Sequence, residues 1–466
     1  MKKILSIIAL LFSISTFSQD VLHTNLDTLS IKVNGKIASK FWIIDSSIRP
    51  DIFTAEFTKE NNKVTYLAGK DSISFNLKVN EQKDFYIVKN KVDTAYQRII
   101  GIKPNVTFSD DYVKKHKGKT IVDIPEVSEL VNVLMALHQD AEKEGNMFDT
   151  KTEYFQKIKK HFSPYLNHPA LDTIQKYIKD LSYIKEHNIS MFSNDSYRYY
   201  YALKMNACAY KFDGNKIINK GDIDQMARGW YTFDPMKDIK VFEDFAKVSN
   251  FRKFFKENKS YYNSLLKTYD ELNPIQKMQT WLDKKFGFGY GSYLVYFSPL
   301  VYGAHSTSRF EDNGLTQTVM FIARADYDQK LSKTQNELLE SRVVFTEIDH
   351  NYVNPTSDLF LTEINESLSN REKWANENIT SMYPNPYTVF NEYMTFGVYS
   401  LYVNDNFSQE DAQQYYPKME NQMVDSRGFI LFEEFNQELL KHYNANPKIT
   451  MKDLYTYMLN WCKTKN

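Results

Sequence analysis

The stretch VVFTEIDHNYVNP, Val343 to Pro355, holds an acid and an imidazole at helical spacing. In the pattern H-E-x-x-H, two histidines stack one turn apart and share a metal ion, while the glutamate deprotonates a metal-bound water. Glu347 and His350 occupy the second and last positions of that pattern, and Thr346 stands where the first histidine would be. On a helix, Thr346, Glu347 and His350 gather on one side, and Val344, Phe345, Ile348 and Tyr352 on roughly the other. Asp349 points about 100° away from His350 and is a poor replacement for the missing ligand. The plain alternative is an amphipathic helix whose polar side happens to show Thr, Glu and His.

A second carboxylate stands out downstream. In YTVFNEYMTFGVYSLYV, Tyr387 to Val403, Glu392 is the one charged residue in a segment that is apolar nearly all round. Such a helix is expected to be buried, and a buried carboxylate is costly unless a metal or a counter-charge meets it. Glu392 is therefore either a metal ligand or an acid satisfied by backbone N–H groups or an arginine. His305, in YGAHS, is a weaker candidate, as a metal ligand or as a hydrogen-bond donor to a developing oxyanion, beside the reading of a loop histidine with no special role. The many tyrosines, Tyr393 among them, could donate in the same way, and nothing in the sequence selects one.

These side chains need elements to hold them. Residues 20–105 alternate apolar and polar positions between Asn-Gly, Gly-Lys-Asp and Lys-Asn turns, which predicts a small, sandwich-like antiparallel β-domain. After that the period becomes helical, beginning with PEVSELVNVLMALHQDAEKE. The segments GYGSYLVYFSPLVYGAHS and LTQTVMFIARA each read as a strand or hairpin preceding the motif helix, which Pro355 should end. The expected class is α+β: the β-domain, then a mainly α domain over residues 120–466 with a short β-sheet.

The N-terminus, MKKILSIIALLFSISTFSQD, has two lysines, an apolar run and small polar residues, which reads as a secretory signal peptide over residues 1–19. That places the mature chain in the periplasm, on the surface or outside the cell, with no transmembrane anchor after cleavage. The 58 basic and 58 acidic side chains balance, so no general attraction to nucleic acid is expected. Cys208 and Cys462 are too few for a four-thiolate zinc site, and whether they pair is open.

The segments IPEVSELVNVLMAL, EYFQKIKKHFSPYLNHPALD, FSPLVYGAHS, FTEIDHNYVNP, FNEYMTFGVYSLY and SRGFILFEEFNQEL resemble, in order and over about residues 120 to 460, a family of secreted bacterial proteins. That family is a domain of unknown function with a glutamate-type HExxH (gluzincin-like) metallopeptidase signature. The resemblance implies a zincin-like fold, Glu347 as general base, and His350 and Glu392 as metal ligands, with Thr346 replacing the first histidine. A threonine hydroxyl is a poor zinc ligand, so zinc would be weakened or absent. The implied function is an exported pseudopeptidase that binds a peptide or protein in its cleft. An active peptidase with a substituted ligand set is one alternative, and an exported structural or interaction protein without metal is another.

Overall fold

The computed structural model describes residues 20–57, 59–138, 148–179, 197–227, 235–301, 305–376 and 383–465. The expected signal peptide lies outside them. The chain divides at Asn105, and each unit is taken by itself.

In the first unit, strands alternate between two four-stranded sheets. One has the order β1 (Val21–Thr24), β7 (Gln82–Lys89), β8 (Asp93–Ile102), β4 (Asp51–Glu56). The other has the order β3 (Lys36–Ile43), β2 (Thr28–Val33), β5 (Asn62–Ala68), β6 (Asp71–Leu77), and is antiparallel throughout. In the first sheet β7 and β8 form a hairpin, whereas the edge strands β1 and β4 run parallel to their neighbours. Alternation reveals which face a side chain takes but not strand direction, so this mixture is invisible in the sequence. Asn34-Gly35 turns the β2–β3 hairpin with both residues at positive φ, the geometry that suits a twisted two-residue loop, and Asn90 and Lys91, also at positive φ, lie in the three-residue β7–β8 loop.

Inward-facing residues of both sheets share one core, with Ile31, Val64, Tyr66, Phe85, Ile87 and Ile99 wholly buried. The rings of Tyr66 and Phe85 meet edge-on at 4.7 Å. Inside this apolar layer Trp42 donates to Gln97, which donates in turn to Asp51, and burial pushes the Asp51 carboxyl up to about 7.

The second unit is mainly helical around a four-stranded sheet. Its first elements are α1 (Asp110–His116), β9 (Lys119–Asp123), α2 (Glu126–Ala136), α3 (Glu153–Phe162), α4 (Pro169–Lys179), α5 (Tyr197–Ala207) and the hairpin β10 (Tyr210–Asp213) and β11 (Lys216–Asn219). Next come α6 (Ile239–Val248), α7 (Phe251–Glu257), α8 (Lys259–Leu272), α9 (Ile275–Phe286), β12 (Ser292–Ser298), β13 (Ser306–Asp312) and β14 (Leu315–Ala323). The remainder is α10 (Lys333–Ser357), α11 (Leu361–Ser367), α12 (Pro386–Asn406), α13 (Gln409–Asn421), α14 (Phe432–Ala445) and α15 (Met451–Lys465). The sheet order is β13-β14-β12-β9, parallel except for β13, which forms an antiparallel hairpin with β14 at the edge. All of β12 is buried, as expected of a parallel strand covered on both faces.

Helix α10 begins at a capping box made by Ser332 and Gln335. It does not end at Pro355 but runs through it to Ser357. Proline lacks the N–H that would bond the Asn351 carbonyl, and the Tyr290 hydroxyl donates to that carbonyl instead. Helix α12 starts at the Asn385–Thr388 capping box with Pro386 in its first turn, and is buried nearly all round, as its composition demands.

Gly101, in β8, gives a direct test of the first unit's packing. A Cβ there would stand 2.3 Å from the Phe57 ring and 2.4 Å from the Lys78 carbonyl. Gly101→Ala should cost about 1–3 kcal/mol of stability, read as a lower urea midpoint at unchanged slope.

Candidate functional site

Glu347 and His350 lie on α10, and Glu392 lies on α12, which packs along it. His350 is 28% exposed, and its Nε2 comes within 3.5 Å of Glu392 Oε1. Its other ring nitrogen lies 3.4 Å from the Thr395 hydroxyl, one turn along α12. The structure therefore brings His350 and Glu392 together. Glu347 is held elsewhere: the Thr307 hydroxyl, on edge strand β13, donates to its Oε2 at 2.7 Å.

The partner of Glu392 is Arg427. Its Nη2 donates to Glu392 Oε2 at 2.6 Å and to the Tyr383 hydroxyl at 2.9 Å. The guanidinium lies 4.7 Å from the centre of the Phe396 ring and 5.6 Å from that of Phe429. A turn of π-helix, Gln422–Ser426, delivers it, and Gly428 at φ 73° then turns the chain so that Phe429 bridges to Ala375. Burial, then the charge of Glu392, pushes the Tyr383 hydroxyl up to about 12. An arginine thus meets one oxygen of Glu392, as the structural explanation for this acid requires.

Thr346 is 8% exposed, and its hydroxyl donates back to the Val343 carbonyl at 3.0 Å. His305 precedes β13, and its Nδ1 accepts the Ala323 N–H at 3.3 Å. An imidazole that accepts at Nδ1 carries its proton on Nε2, so the ring is a donor there. Burial, and then the charges of Lys204 and Arg342, push its pKa down to about 4 and keep it neutral.

Asp349 is fully buried, and neither carboxyl oxygen has a partner among the described residues. Burial raises its pKa well above the carboxylate range, and the charges of Glu392 and Glu347 raise it further, so the group is held as a neutral acid. Lys204, on α5, is the opposite case. Burial pushes its ammonium down to about 7, against the pull of Cys208 and Glu347.

The donor set does not fit a catalytic zinc. Such a site needs three good protein ligands and an open position. His350 and Glu392 supply two; Thr346 is bonded into its own helix, Glu347 is held by Thr307, and His305 presents a protonated nitrogen. Arg427 places a positive charge on the same carboxylate a dication would need. No group of three or more His, Cys, Asp or Glu side chains is arranged to hold a metal among the described residues. Cys208 and Cys462 are both buried and free.

The sequence reading did not single out Arg427, Thr307 or Lys204. Arg427 sits inside SRGFILFEEF, where it is the one cation, and that was the signal that could have found it. Thr307 carries no such signal. No helix among the described residues is long and apolar enough to cross a membrane. No family model, curated protein or solved structure matches this chain.

Two measurements probe this site. Arg427→Met should cost about 2 kcal/mol by leaving Glu392 buried without its counter-charge, while Arg427→Met with Glu392→Leu should cost less, as read in a double-mutant cycle. For His305, the unfolded ring binds its proton near pH 6.5 and the folded ring near 4. Between those values the unfolded chain holds the extra proton, so stability rises with pH through the window and is level above it. His305→Gln should flatten that rise, followed by urea denaturation at several pH values.

Proposed function

We propose that this chain is an exported binding protein whose second unit is arranged like a zincin and receives an extended peptide or protein segment without cleaving it. The observation that carries this reading is the 2.6 Å bond from Arg427 to Glu392. It puts a guanidinium on the carboxylate that a zincin gives to its metal, while Thr346 removes another ligand. Glu347 would have no metal-bound water to deprotonate.

The binding half of the proposal rests on β13. It is an edge strand, antiparallel to β14, and Thr307 ties it to the motif helix at Glu347. An edge that pairs with no second strand among the described residues, beside such a helix, suits an extended ligand that pairs its backbone with the strand. The second reading, an active metal-dependent peptidase, is favoured by the 3.5 Å approach of His350 to Glu392, which leaves Glu392 Oε1 free of the arginine.

Zinc content and affinity separate these readings. The mature protein should contain no stoichiometric zinc, while Thr346→His combined with Arg427→Gln should bind zinc at least about 100-fold more tightly. Tight zinc in the unaltered protein would sink the binding-only reading and call for peptide-cleavage assays. Zinc in neither protein would mean that His350 and Glu392 do not form a metal corner, and the zincin-like reading would fall.

A further inference from the structure

The sheet of the second unit has a second, chemically distinct face. Successive residues of a strand point to opposite sides. On β12 the Tyr293 hydroxyl meets Tyr352 of α10, whereas Leu294 and Tyr296 line a cleft of about 490 Å³. The edge strand repeats the division. Thr307 bonds Glu347 of α10, and the next residue, Ser308, donates to the carbonyl of Met226, which lines the cleft. The cleft therefore lies across the sheet from the motif helix.

Its lining interleaves charges of both signs. Asp111, Asp123 and Asp222 contribute carboxylates, and Lys115 and Lys220 contribute ammonium groups. No ion pair joins them to one another among the described residues. Lys220 donates to the Cys208 carbonyl at 2.8 Å, and its ammonium lies 5.7 Å from the centre of the Tyr296 ring. The Tyr296 hydroxyl has no hydrogen-bond partner among the described residues. His116 contributes an acceptor: its Nδ1 donates to the Tyr112 carbonyl at 2.8 Å, which leaves Nε2 with a lone pair. Its ring stacks on Tyr112 at 3.9 Å, and Tyr112 stacks on Phe108 at 4.5 Å, so one wall shows the edges of a short stacked aromatic column.

We propose that this cleft is a binding site for a neutral, hydroxyl-rich ligand, a short saccharide of two or three sugar units. The volume falls within the range of small-molecule pockets and exceeds what a single amino acid fills. A ligand with one net charge would meet a like charge among the alternating lysines and aspartates. Hydroxyls, by contrast, donate to Asp123 and Asp222 and accept from Lys115 and Lys220, so a polyol satisfies both without a charge of its own. The edges of the stacked rings add apolar contact for a sugar's C–H groups. This site does not depend on the peptide-binding proposal, since it shares no residue with it.

The test is isothermal titration of the full mature chain with cellobiose, maltose, lactose and N,N′-diacetylchitobiose, and with alanyl-alanine as a zwitterionic comparator. At least one disaccharide should bind below roughly 10 mM, and Asp222→Asn and Tyr296→Phe should each weaken it about tenfold. Asp222 is only half-buried and Tyr296→Phe removes a single oxygen, so circular dichroism should show both variants folded. Failure of every disaccharide to bind overturns the proposal. So does tighter binding of alanyl-alanine, which would make the cleft a zwitterion site, or saccharide binding that both variants leave unchanged.

Discussion

A carboxylate enclosed in an apolar helix must find a positive partner, and in this protein Arg427, His350 and two aromatic rings gather around that need. Glu392 is 6% exposed on a helix whose other faces pack against apolar neighbours. An ion taken so far out of water is tolerated only when its lone pairs are met. Arg427 meets one oxygen, His350 approaches the other, and Phe396 and Phe429 cover the guanidinium. The π-turn before Arg427 and the positive-φ Gly428 after it follow from the same requirement, because they bring a distant segment back to α12.

The same contact bears on chemistry. An arginine and a divalent metal compete for one carboxylate through the same electrostatic attraction. Where the arginine holds it, the acid is structural first. The neighbouring acids are likewise committed: Glu347 to Thr307, and Asp349 to a neutral state imposed by burial and by the carboxylates beside it. His305 is tuned in the opposite direction, kept neutral among cations. Such a cluster is well fitted to hold shape and present donors, and poorly fitted to gather ligands around a metal.

The sheet beneath separates two surfaces. Alternation along β12 and β13 sends adjacent side chains to opposite faces, so one short strand serves both the motif helix and the polar cleft behind it. Two sites of different chemistry can then occupy one fold without sharing a residue, and the strand between them fixes the position of each.

Much of the architecture was legible from local pattern. Alternation and Asn-Gly turns marked the β-domain, helical period marked the rest, and the apolar run around Glu392 announced a buried helix, because these depend on neighbours in sequence. The α+β class and the strands at Ser292–Ser298 and Leu315–Ala323 came from the same source. What the chain alone left open was pairing over distance. The parallel edges β1 and β4, and the strand β9 that joins β12, depend on which strands meet, and side-chain alternation is silent on that. Local pattern ends α10 at Pro355, yet a tyrosine from another segment supplies the hydrogen bond that the proline forfeits. The choice for Glu392 between a metal and an arginine was undecidable for the same reason. Its helix dictated that the acid would be buried, but only tertiary packing brought Arg427, 35 residues further on, to meet it there.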